Sequence, residues 1–135
     1  MSWQAYVDSS LVGSGHIDKG CIVSAAGDST WATTTGFSVG ANELKDIVAI
    51  LNEGDSTSGP ASTKAFADGL HVGGERFVAT RIEDGHIYAR KGKEGVCIFK
   101  TTQAILIGHH GENAIAGNAT QTVSALADYL KKQGY

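Results

Sequence analysis

Histidine, cysteine and carboxylate side chains are the groups through which this chain could carry out acid–base, nucleophilic or metal chemistry. The five histidines include no pair four residues apart on a predicted helix. The adjacent His109 and His110 would point to opposite faces of a strand, which makes them a poor metal chelate. Cys21 and Cys97 form no Cys-x-x-Cys pair and are predicted to be reduced thiols in strands. We therefore expect no catalytic residue, no metal site and no cofactor.

Motifs that bind phosphates or activate a nucleophile are also missing from the sequence. There is no Gly-x-x-x-x-Gly-Lys-Ser/Thr loop and no Gly-x-Ser-x-Gly elbow. Gly13-Ser14-Gly15 is too short a match, and no predicted strand precedes it. A net charge of −3 argues against nonspecific nucleic-acid binding. The sequence favours a binding protein over a small enzyme.

Aromatic side chains offer a different chemistry, because flat rings with polar edges bind other molecules by stacking and hydrogen bonding. Four of the ten aromatic residues lie near the two ends of the chain: Trp3, Tyr6, Tyr129 and Tyr135. If two terminal helices pack side by side these rings converge, and Trp31 on a neighbouring strand completes a platform. The alternative is that the rings are simply core, which is the better interpretation for Trp31 taken alone. It is weaker for Trp3, because chain ends fray and a large ring there needs a reason.

The elements that would position these rings follow from hydrophobic spacing and turn residues. The 135 residues fit one domain, residues 1–135. Helices are predicted over 3–12, 42–52 and 119–133, the last with Asn118 as N-cap, Gln121 completing a capping box and Gly134 at C′. The polar stretch 54–63 contains the only proline and is predicted to be a mobile surface loop.

Short apolar runs between the helices predict an antiparallel meander. Asp84-Gly85 is a strong hairpin turn within it. The predicted strands cover 21–23, 31–34, 70–72, 77–82, 86–90, 96–99 and 104–107. Helices at both ends of the chain with a meander between them indicate an α+β sandwich.

Basic residues are concentrated in one part of the chain. Residues 76–100 carry six basic and three acidic groups, a local charge of +3 on a chain that is negative overall. Such a patch could meet an acidic protein or an anionic lipid headgroup. The alternative, to which the residues alone give more weight, is a solvated face of the sheet.

Several segments resemble the profilin family, and they run in the same order over nearly the whole chain. The N-terminal block is the most specific of them. The matching segments are SWQAYVD at 2–8, LVGSG at 11–15, AAGDSTWA at 25–32, DGHIYARKG at 84–92, GVCI at 95–98, LADYL at 126–130 and QGY at 133–135. The likeness is greatest to fungal and amoebal members.

The resemblance implies a profilin-like central antiparallel sheet with the N- and C-terminal helices packed on one face and further helices on the other. It also implies three ligands: monomeric actin, polyproline segments and phosphoinositide headgroups. The polyproline groove would be Trp3, Tyr6, Trp31, Tyr129, Leu130 and Tyr135. The actin contacts would be Val72, Arg81, Lys91, Lys93, Lys100, Gly117, Asn118 and Gln121, and the phosphoinositide contacts Arg81, Arg90, Lys91 and Lys93.

The function that this resemblance implies is regulation of actin polymerisation, with proline-rich partners such as formins bound at a second surface. The alternative is a polyproline-binding adaptor with weak or absent actin binding. A small enzyme and a subunit of a trafficking complex fit less well. The first residues lack the basic and apolar regions of a secretory signal, and no apolar run approaches the ~20 residues of a membrane span, so we expect a cytoplasmic, cytoskeletal monomer.

Overall fold

The computed structural model of the chain describes residues 2–53, 59–83 and 85–135. Seven strands form one sheet in the order β2-β1-β7-β6-β5-β4-β3, and every neighbouring pair is antiparallel. The strands are β1 Lys19–Ser24, β2 Thr30–Thr33, β3 Leu70–Val72, β4 Glu75–Glu83, β5 His86–Lys91, β6 Glu94–Lys100 and β7 Ala104–His110. The predicted meander and the α+β class are confirmed.

Among the described residues, four helical segments cover the two faces of this sheet. The first, α1, consists of an α-helical turn at Trp3–Ala5, a π-helical stretch at Tyr6–Leu11 and a 3-10 turn at Val12–Ser14. The others are α2 Ala41–Asn52, α3 Pro60–Ala67 and α4 Ala116–Lys132. None of these helices, which span only described residues, is long and apolar enough to cross a membrane.

Each face of the sheet has its own hydrophobic core. One core lies under α2 and α3 and is built from aliphatic side chains of all the central strands, together with the fully buried ring of Phe77. The other lies under α1 and α4, where Val7 and Leu11 meet Val123, Leu126 and Leu130. This division confirms the predicted layers, with the terminal helices on one face and the further helices on the other.

Two glycines allow the terminal helices to approach the sheet closely. A Cβ on Gly20 of β1 would lie 3.1 Å from the Leu11 side chain of α1. A Cβ on Gly108 of β7 would lie 2.7 Å from Val123 of α4, closer than carbon atoms pack. Both helices therefore sit directly on the backbone of neighbouring strands.

The prediction of a loop over 54–63 is wrong for the residues that the structure describes, since Pro60 begins α3. Proline is favoured at the first helical position, where its missing N–H costs nothing. The carboxylate of Glu53 accepts hydrogen bonds from the N–H groups of Ala61 and Ser62, each at 2.9 Å, and so caps the helix from a distance in sequence. Residues 54–58 and Asp84 of the predicted hairpin turn lie outside the described part of the chain.

The predicted start of the last helix is also wrong. The N-cap is Ile115, whose side chain makes no capping bond, and Asn118 already lies within the first turn of α4. The earlier start places Ala119 and Val123 in the core, so packing on the sheet decides the boundary rather than the capping preference of asparagine. The predicted C-terminal end is confirmed, with Gly134 at φ 91° directly after the C-cap Gln133.

Candidate functional site

Five aromatic rings form a continuous surface where the two ends of the chain meet, and we call it the aromatic groove. Its members are Trp3, Tyr6, Trp31, Tyr129 and Tyr135. Trp3 is central, with its ring centroid 4.7 Å from Trp31, 5.1 Å from Tyr135 and 5.7 Å from Tyr6. Tyr6 continues the chain of rings to Tyr129 at 6.1 Å. The predicted convergence of these rings is therefore present in the structure.

A β-bulge aims Trp31 into this groove. Along β1 the pairing runs from Ile22 opposite Ala32 to Val23 opposite Thr30, so Trp31 is an extra residue in β2. In a regular strand Trp31 and Ala32 would point to opposite faces, but the bulge lets both pack on the α1–α4 side. Trp31 can then lie against Trp3.

The end of α4 places Tyr135 by a Schellman motif. The N–H of Tyr135 donates to the Leu130 oxygen at 2.9 Å, and the N–H of Gly134 donates to the Lys131 oxygen at 3.1 Å. These are the two bonds of that motif, and its left-handed residue is Gly134. The hydroxyl of Thr101 donates to the main-chain oxygen of Tyr135 at 2.7 Å, which ties the chain end to the sheet.

The other end of the chain is held as firmly. The hydroxyl of Ser2 accepts the N–H of Ala5 at 3.2 Å and caps α1. The side-chain amide of Gln4 donates to the Thr33 oxygen at 2.9 Å and fixes α1 to β2. Trp3 lies between Ser2 and Gln4, so these bonds hold its backbone in place although it is close to the start of the chain.

The groove remains open to solvent. Tyr129 and Tyr135 are 47% and 43% exposed, unusual for large hydrophobic side chains. Beside Tyr6 and Tyr129 the surface continues into a hollow of about 380 Å³ between α1 and α4. Within the described residues, no hydrogen bond uses the indole N–H of Trp3 or Trp31. The groove therefore offers flat apolar faces together with unused donors.

Leu130, predicted as a groove residue, has no exposed surface. Its side chain supports the rings from the core and does not reach a ligand. Desolvation raises the pKa of Tyr6, and the Tyr129 hydroxyl nearby raises it further, so the Tyr6 phenol remains a neutral donor at physiological pH.

A second concave surface, the α4 cleft, lies between the start of α4 and strands β4 to β6. It encloses about 710 Å³. Its lining includes three residues predicted from the resemblance: Arg81, Gly117 and Gln121. The residues that complete it were not predicted, and they are Thr80, Glu83, His86, Tyr88, Phe99, Ala116, Thr120 and Ser124.

The aromatic and imidazole rings of this cleft form a stacked wall. His86 lies flat on Phe99 with ring centroids 4.1 Å apart, and Tyr88 bonds through its hydroxyl to His110 Nε2 at 2.9 Å. Burial lowers the pKa of His86. The alternation of side chains along the β5–β6 hairpin could have predicted this wall from the sequence, since positions 86, 88 and 99 share one face of the two strands. Ile115, 66% exposed, adds an apolar side chain just before α4.

The other predicted actin and lipid contacts do not gather at the α4 cleft. Val72 is 2% exposed, so its side chain belongs to the core under α2 and α3. Lys91 and Lys100 lie at the two ends of the β5–β6 hairpin. Lys91 pairs with Glu94 beside the turn, and Lys100 follows Phe99, the partner of His86, at the open end. Arg90, Lys91 and Lys93 cluster around the turn of that hairpin, whereas Asn118 borders a smaller hollow with Gln121. The basic residues therefore form separate groups instead of one patch.

Basic side chains also have local acidic partners. Arg81 Nε lies 2.9 Å from Glu83 Oε1, and Lys91 Nζ lies 3.5 Å from Glu75 Oε1. These exposed ion pairs are weak, so a ligand carboxylate or phosphate can exchange with them.

The thiols provide no nucleophile. Cys21 and Cys97 are free and buried, as the sequence predicted. Burial raises the pKa of Cys21 to about 12 and that of Cys97 to about 11, so both stay protonated at neutral pH.

Comparisons with known proteins agree with this arrangement. A sequence model of the family described as Profilin matches residues 1–135. The profilin of Schizosaccharomyces pombe is 39% identical over 135 residues, which cover all of both chains.

Solved structures give the same likeness in three dimensions. The crystal structure of Acanthamoeba castellanii profilin II superposes with a TM-score of 0.89 at 36% identity, covering 99% of this chain and all of that one. Mouse profilin IIa, solved in complex with a double repeat from the FH1 domain of mDia1, superposes with a TM-score of 0.77 at 22% identity over the full length of both chains.

Proposed function

This chain belongs to the profilin family of non-enzymatic actin-binding proteins, and from that premise we propose that it binds monomeric actin at the α4 cleft and proline-rich peptides at the aromatic groove. It would act as a monomer at the cytoskeleton, in the cytoplasm. The observation that carries the peptide half of the proposal is the unbroken chain of rings from Tyr135 through Trp3 to Tyr129.

The chemistry of the groove suits a polyproline II helix. Such a helix is ordered before it binds, so little chain entropy is lost. Its proline rings stack on aromatic faces, and its carbonyl oxygens, which have no internal partners, can accept bonds from the indole N–H groups. The mouse relative solved with an FH1 repeat supports this mode, and proline-rich proteins such as formins are the proposed partners here.

The two surfaces are far enough apart to be used together. Gly117 borders the α4 cleft, and Tyr129 lies in the aromatic groove on the same helix. Twelve residues of α-helix separate them, or about 18 Å along the axis. An actin monomer held at one end of α4 therefore leaves the other end free for a proline-rich protein, which can deliver that actin to a growing filament.

Phosphoinositide headgroups are the third proposed ligand, at Arg90, Lys91 and Lys93 around the β5–β6 turn and at Arg81 in the α4 cleft. Clustered cations attract anionic lipid over about a Debye length. Because Arg81 also lines the α4 cleft, we expect lipid bound at Arg81 to compete with actin.

The peptide site is tested by calorimetric titration with a proline decamer. Trp3→Ala removes the central ring and should weaken binding about tenfold or more, since stacking on an aromatic pair contributes about 0.5–1.5 kcal/mol and Trp3 contacts three rings. Phe66→Ala, a half-buried ring on α3, is the matched control and should leave the affinity within twofold. Equal affinities for both variants and the unaltered protein would refute the groove.

The actin site is tested by sedimentation velocity with labelled actin under non-polymerising conditions. A Cβ on Gly117 would meet nothing within 4 Å, so Gly117→Arg fits the helix and places bulk in the cleft. We expect it to abolish the shift of the actin boundary while proline binding persists. Gly117→Ala is the control and should bind normally. If the unaltered protein binds proline but not actin, the adaptor function replaces the proposal.

A further inference from the structure

One imidazole and two carboxylates converge on the opposite side of the sheet from the aromatic groove. Glu75 begins β4, Glu94 begins β6 and His109 lies in β7. One ligand atom from each lies within 4.8 Å of the other two. The residues are distant in sequence, and the sheet register assembles them: His109 pairs with Val96, and Glu94 is two residues away on the same face.

The ring of His109 is held in one orientation. It is 2% exposed, and it meets the Phe77 ring edge-on at 5.8 Å. Its Nδ1 lies 2.5 Å from Asp18 Oδ1. An ionised carboxylate can only accept, so Nδ1 carries the proton of this bond. Asp18 therefore fixes the orientation of the ring, with Nε2 directed away from it and towards Glu75 and Glu94.

That Nε2 atom faces the two carboxylates without a hydrogen bond. It is buried and unpartnered among the described residues, although Glu94 Oε1 lies only 3.2 Å away. A buried imidazole nitrogen is costly without a partner, and a metal ion between Nε2 and the carboxylates would give it one.

We propose that a divalent transition-metal ion of the zinc type binds between His109 Nε2, Glu75 and Glu94. Ligand atoms about 2.0–2.2 Å from a tetrahedral zinc ion lie about 3.3–3.6 Å from one another. The 3.2 Å between Nε2 and Glu94 Oε1 is just below this range, so a small movement of the partly exposed carboxylate would fit the ion. Three protein ligands leave a fourth position for water. The imidazole donor favours Zn²⁺ or Co²⁺ over Ca²⁺ and Mg²⁺, which prefer oxygen alone.

The pair of Asp18 and His109 is the outer part of such a site. Metal-bound histidines commonly donate their second N–H to a carboxylate, which orients the ring and raises its basicity. Asp18 is half exposed, lies before β1 and bonds to His109 on the side of the ring away from Glu75 and Glu94. Its bond to a buried histidine, whose other nitrogen faces two more carboxylates, matches the outer carboxylate of many histidine–metal sites.

Lys91 would compete with the metal ion for the carboxylate of Glu75. Its ammonium lies 3.5 Å from Glu75 Oε1 and is half exposed, so it can turn to solvent when a metal takes the carboxylate. Lys91→Gln should therefore tighten metal binding. No other ion pair of the described residues contacts the three proposed ligands apart from those already named.

The test is calorimetric titration of the full chain with Zn²⁺, together with the visible absorption of the Co²⁺ form. We expect one ion per chain. Glu75→Gln and Glu94→Gln preserve side-chain shape and should each weaken binding at least tenfold, and Asp18→Ala about 10–100-fold. Glu83→Gln is the control, because Glu83 is an exposed acid at the far end of β4 paired with Arg81. It should leave the Zn²⁺ affinity unchanged.

His109 itself is left unaltered, so a failure to fold does not confuse the result. ¹⁵N NMR of the His109 ring provides a second measurement, since Nε2 should carry no proton once Zn²⁺ is added. The proposal is overturned if the unaltered protein binds no Zn²⁺ at millimolar concentration, or if the Glu75 and Glu94 variants bind as well as it does. A proton that stays on Nε2 in saturating Zn²⁺ also overturns it, and the cluster is then an ion pair.

Discussion

The two faces of the sheet are built from different side chains: one face is covered by aliphatic residues, and the other carries exposed aromatic rings. Under α2 and α3 the central strands present isoleucine and valine that are fully covered. Under α1 and α4 a smaller aliphatic core is bordered by aromatic rings that remain partly exposed. Covered aliphatic area stabilises the fold, whereas exposed rings with unused donors are available to a ligand. The same sheet thus separates stability from recognition.

The largest expected effect on this comparison comes from Ile98→Ala in the covered face. Ile98 has no exposed surface, and truncation of such a side chain lowers the free energy of unfolding by about 2–5 kcal/mol. Proline-decamer affinity, measured where the variant is folded, should be unchanged. Tyr129→Ala removes a ring from the exposed groove. It should weaken proline-decamer binding in the titration and leave the free energy of unfolding in urea nearly unchanged. If both variants lost stability equally, the division between the faces would be wrong.

A smaller effect is expected at Gly134, which contributes both to the stability of the end of α4 and to the position of the groove residue Tyr135. Gly134 has φ 91°, and a side chain there is strained although nothing crowds it, so Gly134→Ala should cost about 1–2 kcal/mol. The strain falls on the motif that positions Tyr135, so proline affinity should fall a few-fold as well. Gly36→Ala, also at positive φ with open space around it, is the control for strain without a groove. It should lower stability and leave affinity intact.

The smallest effect concerns pH and the wall of the α4 cleft. Burial lowers the pKa of His86, with Arg81 acting in the same direction and Glu83 opposing. The unfolded chain therefore takes up this proton first, and the stability present above the ordinary pKa of about 6.5 is lost as pH falls through the lowered value. Urea unfolding at pH 7 and pH 5 should show a smaller loss for His86→Phe, which keeps the stack on Phe99. An equal loss in both proteins would contradict the assignment.

Local spacing predicted most of the fold because the strands and long helices have clear apolar patterns. The helix at 42–52 and the meander needed only periodicity and turn residues. Helix α3 was missed because its N-terminal N–H groups are capped by Glu53, which precedes the helix by seven residues and gives no local capping signal. The start of α4 was misplaced, because burial of Ala119 outweighs the preference of Asn118 for a cap position.

The candidate sites divide in the same way. The aromatic groove could be predicted, because its rings lie near the chain ends and within segments that resemble a known family. The assembly of Glu75, Glu94 and His109 could not, because it depends on strand order and register rather than on sequence spacing. The dispersal of Lys91 and Lys100 to opposite hairpin ends was hidden for the same reason, since net charge over 76–100 carries no direction in space.

The bulge at Trp31 also has an evolutionary consequence. Because this residue is surplus to the pairing of β1 with β2, loss of its single codon would leave Thr30 and Ala32 as neighbours in an uninterrupted ladder. Elsewhere in a paired strand, a one-residue deletion turns every following side chain to the wrong face. The Trp31 wall of the aromatic groove thus stands at a position where a one-residue insertion could have created it and a one-residue deletion could remove it, without any change in the rest of the sheet.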